Sequence, residues 1–171
     1  MTERTGTTPS RASRFAGWLD VRFRSPAAIY GLIVFAAFLS VDSDHATDVW
    51  DLLDTPVWSL LVFFTAHVFA HTLTDHGERG LRRATGDAVR HAAGMLYSAL
   101  PASIVLVIMG LRGASVDDAY EAAMWATVAV LAALGYVAYW RRGAHVLVRL
   151  LGALGTTALG ALIIILEYAL H

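Results

Sequence analysis

The sequence predicts an all-α integral membrane protein, a bundle of about five transmembrane helices. Three observations predict it. Hydrophobic residues make up 57% of the chain and charged residues only 16%, against about 25% charged in soluble domains. A soluble fold of 171 residues could not cover that much apolar side chain, whereas lipid removes the need to cover it. The apolar residues also gather into runs near the ~20 residues that a helix needs to cross a bilayer. These runs are rich in Ala, Leu and Gly and lack the alternation of membrane-barrel strands. Helices satisfy their backbone groups internally, which the bilayer core demands.

The elements follow in chain order. Residues 1–10 are polar and read as a disordered tail. Residues 11–25 read as an interfacial amphipathic helix. Its Phe15, Trp18, Leu19 and Phe23 face lipid and its arginines lie at the headgroups. The membrane domain covers 26–171, and its first span is 26–41. The outer segment 43–54 reads as a short surface helix capped by Ser43. Pro56 then opens span two, 57–75, where its missing N–H is harmless. Spans three, four and five are 93–111, 119–140 and 146–169.

Orientation follows from the arginines. The chain has no lysine, so its 13 basic residues are all arginine. With five spans they alternate by connection. Arg4, Arg11, Arg14, Arg22 and Arg24 precede span one, Arg79, Arg82, Arg83 and Arg90 follow span two, and Arg141, Arg142 and Arg149 flank the turn into span five. Arg112 is the exception. The other side holds Asp42, Asp44, Asp48, Asp51, Asp54, Asp117, Asp118, Glu121 and Glu167. The rule that positive loops stay inside places the N-terminus in the cytoplasm and the C-terminus outside. Trp50, Trp58, Tyr120 and Trp125 fall near the outer interface, and Tyr30, Tyr139 and Trp140 near the inner one, as amphipathic rings prefer. The expected location is the cell membrane, multi-pass, with the lipid bilayer as the first partner. Arginines committed to headgroups do not imply nucleic acid, and no soluble partner follows from the sequence. The absence of cysteine removes disulfides, thiolate catalysis and cysteine metal sites.

Ionisable residues at membrane depth are costly and mark candidate function. Span two carries them in the run AHVFAHTLTDH. His67 and His71 share a helix face at i, i+4, Asp75 continues it, and Thr74 lies within it. The stripe suits a cation pathway or a proton relay. A divalent metal ion, the one cofactor the sequence suggests, would be held by His67 and His71 or by His71 and Asp75, since His67 and Asp75 are too far apart to share it. In span three, Pro101 frees the carbonyl of Tyr97. Counted antiparallel from span ends 75 and 93, Tyr97 and Ser98 are expected at the depth of His71. No other span carries a histidine in mid-membrane, and His91 and His145 fall at the inner boundary. In span five, Gly152, Thr156 and Gly160 form a small-residue ridge for tight packing, within one subunit or in a homo-oligomer.

His67-x-x-x-His71 has the spacing of one histidine box of membrane desaturases and hydroxylases, but the further boxes those enzymes need do not occur. HExxH, GxSxG and Walker A motifs are absent. The functional expectation is therefore a channel or transporter for a small cation, a proton or divalent metal. It would be lined by His67, His71, Thr74, Asp75, Tyr97 and Ser98. The alternative is a non-enzymatic accessory or scaffold subunit with the span-five ridge as its working surface. A third reading is an intramembrane metal-dependent enzyme built on the histidine pair.

Overall fold

The structure, a computed structural model, describes residues 26–140, 143 and 145–170, with the side chains of 76, 78, 79, 163, 164 and 166–170 left out. The expected tail over 1–10 and interfacial helix over 11–25 lie outside these residues. Five α-helices make up the described chain: α1 Pro26–Ser43, α2 Val49–Arg79, α3 Leu81–Leu111, α4 Val116–Trp140 and α5 Val146–Leu170. The first four carry apolar stretches long enough to cross a membrane, and the described apolar part of α5, Val146–Leu162, is shorter. The protein is a multi-pass membrane helix bundle.

α1 is the centre of the bundle and packs against each of the other four helices. Its buried residues include Ala28, Leu32, Phe35, Ala36 and Leu39, spread over most of the helix circumference, with Tyr30 exposed on the remaining side. That broad apolarity is what a central helix requires. Pro26 opens α1 where no intrahelical N–H bond is lost. Its closest neighbour is α3. A Cβ on Gly31 would lie 2.5 Å from Met95 Cα, so the two backbones cross in near contact. Ala27, Ala88, Ala92 and Ala99, all buried, permit that approach.

α2 begins earlier than the sequence suggests, and the reason is a cap. Asp48 Oδ1 accepts the N–H groups of Trp50 (2.7 Å) and Asp51 (3.0 Å). Asp51 Oδ2 accepts in return from the N–H of Asp48 (3.2 Å) and the hydroxyl of Thr47 (2.6 Å). This reciprocal box places carboxylates at the positive end of the helix. The separate surface helix expected over 43–54 does not form. Ser43 instead closes α1, its hydroxyl donating to the Ser40 carbonyl at 2.7 Å. Pro56 consequently sits inside α2, buried with Val49 and Leu52 against the core. At the start of α4 Ser115 is the cap: its hydroxyl accepts the Asp118 N–H at 3.2 Å and donates to the Asp118 carboxylate at 2.7 Å. Asp48→Ala is expected to cost about 1 kcal/mol, read as a lowered midpoint for loss of ellipticity on titrating micellar protein with a denaturing detergent.

α2 and α3 are joined by a single residue, Gly80, whose φ of 77° suits glycine. The polar segment expected to separate spans two and three is helical on both sides of that turn. α2 and α3 thus form a long antiparallel hairpin with the largest helix–helix contact in the molecule.

α5 packs on α4 through its small residues. Thr156 Oγ1 donates to the Leu131 carbonyl of α4 at 2.8 Å. A Cβ on Gly135 would collide with Thr156 and with the Gly152 carbonyl, and one on Gly160 would press on Leu131. The Gly152, Thr156, Gly160 ridge is covered within the subunit by α4. The scaffold reading cannot use it as a working surface, because its closeness is already spent on an intramolecular contact.

Candidate functional site

The α2–α3 hairpin builds a row of three imidazoles. His67 and His71 are one turn apart on α2, with ring centroids 4.8 Å apart and planes tilted by 56°. The third ring is His91 of α3, whose centroid lies 5.6 Å from that of His71. His67 and His71 are half-buried and His91 is exposed. Among the described residues, no hydrogen bond to any of the three rings is formed. Val62, Phe69 and Leu73 of α2 and Val89 of α3 are exposed elsewhere on the hairpin, on helix faces turned away from the rings.

His91, expected outside span three, stands beside His71. Gly80 makes the turn one residue long, and His71 and His91 stand nine and eleven residues from it, so they come level. The clue in the sequence is that lone glycine between two stretches of helix-compatible residues.

The same register moves Tyr97 and Ser98. They lie six and seven residues past His91, roughly 9–10 Å along the axis at 1.5 Å per residue. They therefore do not share the depth of His71. Ser98 is fully buried and its hydroxyl donates to the Met95 carbonyl at 3.0 Å. Thr74 is exposed, and its hydroxyl donates back to the His71 carbonyl of its own helix at 2.9 Å. Thr72, absent from the expected stripe, is the buried threonine of this turn and donates to Val68 at 2.7 Å.

Asp75 is exposed, one turn nearer Gly80 than His71 is. Counting from the His71–His91 pair places Asp87 of α3 opposite it. Asp87 forms an exposed ion pair with Arg90 at 3.7 Å. The row of rings thus opens toward a charged hairpin end. Among the described residues, no group of three or more His, Cys, Asp or Glu side chains is arranged to hold a metal ion.

Chemically, a neutral imidazole offers one N–H donor and one acceptor nitrogen. Hydrocarbon answers neither, and unmet polar groups there cost free energy. A partly exposed histidine row calls for hydrogen-bonding partners from a neighbouring helix or from water. No protein-family model, curated protein or solved structure matches this chain.

Proposed function

We propose that the chain is a non-enzymatic helical subunit of a larger membrane assembly, and that the α2–α3 seam is the surface it presents to a partner helix. In this reading the chain crosses the bilayer five times, with its N-terminus in the cytoplasm. The observation that carries it is the exposure of the histidine helix. α2 holds two imidazoles at membrane depth, yet it is the least buried of the four long apolar helices. A partner helix bearing Ser, Thr, Asn or Gln would supply the missing hydrogen bonds, as polar residues do between membrane helices. The test is affinity purification from the native membrane. The account predicts a stoichiometric partner, retained by the natural sequence and depleted in the His67→Ala, His71→Ala double variant. Equal retention by both would remove the proposal.

The ring geometry favours a second reading. Centroid spacings of 4.8 and 5.6 Å are within the span of one bridging water, so the row can relay protons toward Asp75. A divalent metal on His67 and His71 would require further ligands from the partner. In liposomes, this reading predicts that His71→Ala, the middle rung, abolishes proton flux while the fold persists. Unchanged flux in His71→Ala would exclude it.

A further inference from the structure

The contact between His71 and His91 joins two helices, and it has the dimensions of a pair of rings sharing one metal ion. A zinc ion lies about 2.0–2.1 Å from a ligating imidazole nitrogen, hence about 3.2 Å from the centroid of that ring. Two imidazoles at the tetrahedral angle around one ion therefore stand about 5.2 Å apart, centroid to centroid. His71 and His91 stand 5.6 Å apart with planes inclined by 45°. His67 and His71 stand 4.8 Å apart. Either pair closes on an ion with small side-chain rotations. Among the described residues no group of three is arranged around one ion, so an ion takes one pair.

Water decides which pair. Two histidines leave half of a tetrahedral shell to other ligands. Water fills those positions only where it can also hydrogen-bond outward, because hydrocarbon answers no polar group. His91 is exposed. Asp75 and Asp87, one helical turn from His71 and His91 toward Gly80, are exposed as well, and so is Arg90, which pairs with Asp87. A hydrated ion thus reaches His71 and His91 from the charged hairpin end. His67 lies one turn farther from that end, roughly 6 Å at 1.5 Å per residue. Among the described residues neither His71 nor His91 forms a hydrogen bond through its ring, which leaves each neutral imidazole a lone pair for a metal. Imidazole suits zinc, nickel and copper, whereas magnesium and calcium take oxygen ligands.

We propose that His71 of α2 and His91 of α3 bind one divalent transition-metal ion across the hairpin, with water in its remaining positions. The pair legible in the sequence, His67 and His71, supplies only one of the two ligands; the other comes from the fold. The site takes no ligand from a partner helix, so its test is separate from that of the proposed assembly.

The test is a calorimetric titration of the full chain, purified alone in detergent without a polyhistidine tag and stripped of metal, with zinc chloride. The expected result is one saturable zinc per chain and no saturable magnesium. Replacing an outer-shell residue alone weakens metal sites by about 10–100-fold, so His71→Ala and His91→Ala, which remove a ligand, are each expected to weaken zinc binding by about tenfold or more. His67→Ala is expected to bind zinc as the natural sequence does. An ion that bridges two helices binds the folded hairpin and not the unfolded chain. Zinc should therefore raise the denaturing-detergent midpoint of the natural sequence and of His67→Ala, and leave that of His91→Ala where it was. His91 is exposed, so His91→Ala is the variant that decides should His71→Ala fail to fold. Undiminished zinc affinity in His91→Ala overturns the proposal, and so does the absence of saturable zinc binding by the natural sequence.

Discussion

Gly31→Leu is expected to undo the docking of α1 on α3 and to cost more than the ~1–3 kcal/mol typical of overpacked cores. The reason lies in what the new atoms would meet. The first side-chain carbon would stand 2.5 Å from Met95 Cα, 2.7 Å from Met95 Cβ and 2.8 Å from the Met95 carbonyl oxygen. Two of those are backbone atoms, so no rotamer change can make room. The helices must separate, and α1 touches every other helix, so the separation reaches the whole core around Phe35, Leu39 and Leu106. Gly86→Ala is the matched control. A Cβ at Gly86 meets nothing within 4 Å, and alanine favours a helix over glycine by up to ~1 kcal/mol. Denaturing-detergent titrations followed by ellipticity should show a large loss for Gly31→Leu and none for Gly86→Ala. Equal midpoints would show that the α1–α3 crossing is not the tight contact described.

The double variant His67→Ala, His71→Ala is expected to lose most of its bound partner while keeping its own fold. Each hydrogen bond between membrane helices contributes about 1–2 kcal/mol in model peptides and less in larger bundles. Two such bonds amount to roughly 2 kcal/mol, near thirtyfold in retention at 1.4 kcal/mol per tenfold. The fold should persist because neither ring is fully buried and neither forms a hydrogen bond within the described chain. Ser98→Ala separates the site from the core. Its hydroxyl answers a carbonyl of its own helix, so its removal should leave partner retention unchanged.

The long apolar runs carried most of the fold in the sequence, because span length is set by bilayer thickness. α4 and α5 lie close to their expected limits for that reason. Close packing by Gly152, Thr156 and Gly160 was legible too, but which helix would fill the ridge was not, since small residues declare closeness and not identity. The ends of α2 and α3 were hidden by polarity. His76 through His91 reads as a loop by hydropathy, yet it is helical but for Gly80, because one glycine at positive φ makes the whole turn and leaves the polar residues to extend both helices. That one error in length displaced Tyr97 and Ser98 and concealed His91. Pro56 misled in the same way: proline marks helix starts often enough to suggest one, but the Asp48–Asp51 box had already started the helix seven residues earlier, at Val49.

The central claim is that the histidine seam of α2 faces another protein. Ala70 is exposed between His67 and His71, so a photo-crosslinking residue placed there reports directly on what lies against the seam in the native membrane. The account predicts a single protein adduct of defined mass, strongly reduced when His67 and His71 are both replaced by alanine. Adducts to lipid alone, or a protein adduct indifferent to the histidines, would contradict it.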